Sequence, residues 1–324
     1  MANDPGLSND TCIFLEAVTG DGGNQNVNDI WWLSPDIKLV GPVSGPDKAD
    51  AGQINPITVN FHRKAASSNC IFPGDESVTI EVWVANPSLV MSPGVRQSSA
   101  RVGFIGSFLP TEGGTRTQQI DWDVPAVSHP NDPQNPGHKC VVARVYPSSG
   151  VGSSTSFFVP GDQHVAQHNL CVVKAPRKPF KFDINTVGFG PRQLPFKQLP
   201  NAKLRAVLDL HPKRFVTGAV AGQLNSIAGF QGLITSALSG GFGFDLTSLQ
   251  ATNIINHSHA PFTPPLGSAN PSFEARVVLE PGHVTSIRFL ADLQGLPANH
   301  ACIFHIIQTS LTDVVQGGLT LVIV

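Results

Sequence analysis

Charge is scarce in this chain: 14% of its 324 residues are Asp, Glu, Lys or Arg, and the formal net charge is -2. A general nucleic-acid binder shows a clear basic excess, so that class is set aside. The Glu- and Lys-rich faces of exposed helices are missing as well. A single tyrosine, Tyr146, stands beside four tryptophans, which is too few for the aromatic surface of a typical sugar-binding sandwich. No stretch approaches the roughly 18 uninterrupted apolar residues of a membrane-spanning helix. The first residues, Met1-Ala-Asn-Asp-Pro-Gly, have neither the basic nor the apolar region of a secretory signal. H-E-x-x-H, G-x-S-x-G and P-loop patterns are absent, and Gly188-Phe-Gly190 and Gly241-Phe-Gly243 each lack the third glycine of a dinucleotide fingerprint. The five cysteines, Cys12, Cys70, Cys140, Cys171 and Cys302, include no C-x-x-C pair, which argues against a zinc knuckle or redox motif. Their odd number leaves at least one thiol free. Cys140 and Cys171 fall in strand-like runs, where burial as small apolar side chains competes with a disulfide between them.

What the chain does have is 31 Gly, 27 Pro and 19 Phe, the composition of short buried strands between tight turns. The fold class expected is all-β, and the length suits two modules of roughly 150 residues. Residues 1–28 read as an N-terminal arm. It holds one strand-like run, Thr11 to Val18, and the start of a polar stretch from Asp21 to Asp29, which lacks the spacing and terminal Glu of an EF-hand and reads as turn chemistry. Strand signals then recur at Ile37 to Val40, Ile57 to Phe61, Val78 to Val84, Ala100 to Ile105, Thr117 to Trp122, Cys140 to Tyr146 and Val172 to Val173. In the third of these, Val78, Ile80, Val82 and Val84 share one face, with Thr79, Glu81 and Trp83 on the other.

Three segments, Asp29-Ile-Trp-Trp-Leu-Ser-Pro-Asp-Ile37, Glu81-Val-Trp-Val-Ala-Asn-Pro-Ser88 and Gly137-His-Lys-Cys-Val-Val-Ala-Arg144, resemble successive signatures of bacterial immunoglobulin-like modules related to cell-adhesion (CARDB-type) domains. The stretch Asp162 to Cys171 is similar to the segment before that family's last strand. There His164 and His168 depart from the Asn and the basic or polar residue expected. The resemblance implies an immunoglobulin-like β-sandwich over residues 29–175 and is nearly silent on function. A second such sandwich is expected over 176–324. Its strands are read at Phe180 to Asn185, Ala202 to Leu210, Phe273 to Leu279, Val284 to Leu290, Ala301 to Thr309 and Leu319 to Val324. The last two look like a closing hairpin, and the ending Leu-Val-Ile-Val implies a strand paired inside a sheet or against a partner. Within this domain Leu224, Ile227, Ala228, Phe230, Leu233, Ile234 and Leu238 recur at mixed i+3 and i+4 spacing, predicting a helical insertion over 219–239. Glycines at 222, 229, 232 and 240 weaken it.

Charge is unevenly spread. Lys and Arg against Asp and Glu number 9 to 16 in residues 1–171, 10 to 2 in 172–214, and 2 to 5 in 215–324. The central basic band includes Lys174, Arg177, Lys178, Arg192 and Lys197, read either as a solvated linker or as a contact for another copy, an acidic protein or a polyanionic surface. Four histidines are weak metal candidates: His164 and His168, spaced for a helix, and His257 and His259, spaced for a strand. Neither pair has a carboxylate or thiolate at the usual spacing, so no metal, cofactor or catalytic residue is assigned. Trp31 and Trp32 are neighbours, so in a strand one ring points inward. Trp32 is the candidate for an outward contact, with core packing or a domain junction the alternative.

The expected protein is therefore a non-enzymatic structural or self-assembling one, a bacterial surface, filament or extracellular subunit acting through protein-protein contacts with copies of itself. An adhesion or glycan-binding module is the alternative, and a metal-dependent enzyme the third. An extracellular or cell-surface location is favoured, although the sequence shows no signal peptide.

Overall fold

The computed structural model describes residues 12–24, 30–65, 77–93, 95, 97–127, 129, 131–148, 157, 159–174, 179–189, 199–209, 233–234, 241–246, 271–293 and 300–324. Two compact units emerge from the contacts. The described residues of Met1–Asn86 and Ser92–Asn169 form unit 1, and those of Pro87–Met91 and Leu170–Val324 form unit 2.

Unit 1 holds β1 (Ile13–Phe14), β2 (Ile37–Gly41), β3 (Gly45–Pro46), β4 (Lys48–Ala49), β5 (Ile54–Arg63), β6 (Ser77–Ala85), β7 (Ala100–Phe108), β8 (Thr115–Asp123), β9 (Gly137–His138), β10 (Cys140–Pro147) and β11 (Val165–His168). Strand β5 lies at the centre of a five-stranded sheet, pairing with β1 and β2 along one edge and with β8 along the other. The second sheet runs β11-β10-β6-β7. Alternation decides what faces inward. Ile57, Val59 and Phe61 from β5 meet Val78, Ile80, Val82 and Val84 from β6 and Val141, Ala143 and Val145 from β10, with Trp122 among them. All are buried, and burial of a Val, Ile or Phe side chain stabilises by about 1.5–3 kcal/mol.

Unit 2 holds β12 (Leu170–Val173), β13 (Pro179–Val187), β14 (Ala202–Leu208), β15 (Leu233–Ile234), β16 (Phe242–Asp245), β17 (Ser272–Val277), β18 (Val284–Asp292), β19 (His300–Ser310) and β20 (Val315–Ile323). One sheet runs β12-β20-β19-β14-β17, with β15 joined to β19, and the other runs β13-β18-β16. Their core is aromatic: Phe289 of β18 meets Phe304 of β19 edge-on at 4.9 Å, and Phe242 lies 5.0 Å from Phe304. The offset ring contacts add to the area they bury.

The molecule is all-β over its described residues, as composition implied, and none of them is α-helical. One expectation is corrected. The helical insertion over 219–239 falls almost wholly outside the described residues, but Leu233–Ile234 is a strand pairing in parallel with His300–Ala301. The pair directly follows Gly232, which weakens a helix, and gains ladder hydrogen bonds from a neighbouring strand. The closing hairpin is present: Cys302↔Ile323 through Ile307↔Gly318 are partners between β19 and β20. The expected strand at Val172–Val173 belongs to β12, which pairs in parallel with β20. The chain's last strand is thus flanked on both sides within its own sheet.

Candidate functional site

The phase of β5 that sends Ile57, Val59 and Phe61 inward turns Thr58, Asn60 and His62 to the opposite face. Cross-strand register then sets the neighbours of His62: Phe14 of β1 on one side and Thr115 of β8 on the other. The Phe14 ring stacks on the imidazole at 5.0 Å. Thr115 Oγ1 lies 2.7 Å from Nδ1, which turns Nε2 toward Asp36, 2.9 and 3.0 Å from its two carboxylate oxygens. Asp36 itself is 4% exposed and sits in the turn that enters β2, fastened by the Asn60 N–H to its carbonyl at 2.8 Å.

A third group arrives from the chain leaving β1. The Glu16 N–H donates to Asp36 Oδ2 at 2.6 Å, and the Ser34 hydroxyl donates to the Glu16 carbonyl while accepting the Asp36 N–H. Asp21 folds the following loop back by accepting the N–H groups of Ala17, Val18 and Gly23. Gly20 and Gly23, at φ of 78° and 77°, supply the left-handed backbone that this loop needs. One ligating atom from each of Glu16, Asp36 and His62 lies within 4.8 Å of the others. Burial alone would lower the His62 pKa, but the Asp36 hydrogen bond and charge, joined by the charges of Glu16 and Asp21, outweigh it and raise the pKa above the ordinary value. The group holds either an ion pair or, with His62 neutral, three donors converging on one point.

The residues singled out in the sequence lie elsewhere. His164 is buried with Nδ1 2.8 Å from Asp162 Oδ1, whereas His168 is buried with Nδ1 3.0 Å from the Ser34 carbonyl and Nε2 3.2 Å from Asp47 Oδ1. Because β11 is extended and not helical, the two imidazoles are carried apart and each serves a different carboxylate. Trp32 is 3% exposed and packs edge-on against Trp31 at 5.7 Å, so the structure corrects its reading as an outward contact in favour of core packing. Lys174 is exposed. Arg177, Lys178, Arg192, Lys197, His257 and His259 lie outside the described residues.

A different surface lies on the second sheet of unit 1. Strand β7 ends its sheet, paired only with β6 among the described strands. Val102 and Ile105 pack on the core, while Phe104 and Phe108 are 67% and 68% exposed. The Arg101 guanidinium lies 5.5 Å from the Phe104 ring centre, a cation-π contact on the same surface. A bulge falls within β7, where Val102 is the extra residue between Gly103, opposite Val82, and Arg101, opposite Trp83, and it breaks the strict alternation by which this strand would be read. Among the described strands β7 is thus an edge that carries two exposed phenylalanines.

No protein-family model matches the chain, and no curated protein matches it. Among solved structures it aligns with a β-glucosidase from Paenibacillus barengoltzii at 12% identity and a TM-score of 0.18, over 49% of this chain and 16% of the enzyme. The CupB6 tip adhesin from Pseudomonas aeruginosa aligns at 11% identity and a TM-score of 0.19, over 85% of this chain and 91% of the adhesin. A partial N-terminal region of an enterococcal surface protein aligns at 8% identity and 0.23, over 99% and 96%. Scores this low carry no argument about fold or activity.

Proposed function

We propose that this chain is a non-enzymatic structural or surface protein, built on immunoglobulin-like sandwiches, that works by protein-protein contact between copies of itself. The observation that carries the reading is β7, an edge strand with Phe104 and Phe108 open to solvent. An edge strand presents free N–H and C=O groups, and a two-fold axis brings such an edge against its own copy in antiparallel pairing. The strand order supports the immunoglobulin-like part: β11-β10-β6-β7 facing β2-β5-β8 is the G-F-C-C′ against A-B-E order of such sandwiches. Cys12 is disulfide-bonded, which favours an oxidising compartment and so an extracellular or surface location.

The test is sedimentation velocity of the full chain across concentration and salt, beside the Phe104→Lys variant. Self-association that persists in high salt and is lost in the variant is expected, because the contact buries apolar surface. Association that weakens steeply with salt and ignores the variant would move the contact to the basic band around Lys174. A chain that stays monomeric throughout would remove the reading.

A further inference from the structure

We propose that Glu16, Asp36 and His62 form a binding site for one zinc ion in unit 1, a role separate from the contact surface on β7. The donor set fits: one imidazole nitrogen and two carboxylate oxygens, already within 4.8 Å of one another, leave the fourth tetrahedral position to water. An imidazole favours zinc over calcium and magnesium, which take oxygen ligands.

The group is prepared for an ion in two further respects. Metal-bound histidines have their second nitrogen held by a partner, and here Thr115 Oγ1, outside the cluster, sits 2.7 Å from Nδ1. With Nδ1–H donating to that hydroxyl, the Nε2 lone pair is left facing the carboxylates. The Phe14 ring, stacked at 5.0 Å, fixes the plane of the imidazole. Charge is the second respect. With His62 neutral and ligating, Glu16 and Asp36 bring two negative charges to a half-buried place, and a divalent ion cancels them. The three ligands come from the chain leaving β1, the entry to β2, and β5, so an ion there ties the first strand and its loop to the centre of the sheet.

The experiment is calorimetric titration of the metal-stripped full chain with zinc chloride, with calcium chloride and magnesium chloride in parallel, together with elemental analysis of the loaded protein. One zinc per chain is expected, with binding lost in His62→Gln and weakened at least tenfold in Glu16→Gln. Glu16→Gln keeps an oxygen for the Gly20 N–H, which Glu16 Oε2 accepts at 3.0 Å. Its circular dichroism should match the parent, so that variant decides the matter even where His62→Gln fails to fold. Cobalt bound in place of zinc should show the visible absorption of a four-coordinate site, lost in the same variants. The inference is overturned by the absence of saturable zinc binding, by binding unchanged in both variants, or by calcium or magnesium binding in preference to zinc.

Discussion

Glu81 is a carboxylate that alternation placed opposite the valines of β6, and the structure buries it there between two guanidiniums, Arg144 and, at 2.7 Å, Arg101. Burial by itself would raise its pKa, but the hydrogen bonds and charges of Arg144 and Arg101 prevail and hold it below the ordinary glutamate range. A lowered folded pKa means that the ion pair's stabilisation is present above the unfolded glutamate pKa and is lost as pH falls through the folded one. Glu81→Gln should therefore cost about 3–5 kcal/mol at neutral pH, read from urea denaturation, because it removes the carboxylate charge that the buried Arg144 guanidinium faces. The variant's stability should also fall less steeply toward acid than the parent's. Single residues of this kind were only half legible. The face of Glu81 could be read from alternation within β6, whereas its partner Arg144 stands in another strand, named only by the cross-strand register. Glu16, Asp36 and His62 show the same limit, since no spacing joins them and only the pairing of β1, β2 and β5 brings them together. The off-core phase of β5 carries one imidazole, His62, and that is the local signal for it.

At the level of elements, the strands with clean alternation or an apolar run were readable because period two is a local property, and the β19–β20 hairpin was readable because its partners are adjacent in sequence. The parallel pairing of β12 with β20 was not, since Leu170 and Thr320 meet only in the folded sheet. The segment Pro87–Met91 makes the same point: it follows β6 directly yet belongs to unit 2, where the Leu89 N–H donates to the Asn185 carbonyl at 2.9 Å. This docking requires a glycine on β20. A Cβ at Gly317 would stand 2.0 Å from the Leu89 carbonyl oxygen, a backbone atom that no rotamer change can move. Gly317→Ala should destabilise the protein by about 1–3 kcal/mol, as overpacking does, and lower its thermal midpoint. In the same measurement Gly106→Ala, where a Cβ would meet open space, should stay near the parent.

For the whole molecule, cysteine usage divides by role. Cys12 is disulfide-bonded, while Cys140, Cys171 and Cys302 are buried outside any disulfide, and burial pushes the Cys302 thiol up to about 12. Reduction should cost roughly 2–5 kcal/mol, the usual range for a native disulfide, seen as a lower urea midpoint. The three buried thiols should resist modification until the chain unfolds. The proposed contact between copies rests on β7. Amide hydrogen exchange across Val102 to Ser107, at low and high protein concentration, tests it most directly. The account predicts that these amides exchange more slowly as concentration rises, with Phe104→Lys abolishing the change. Exchange at β7 that is independent of concentration would contradict it.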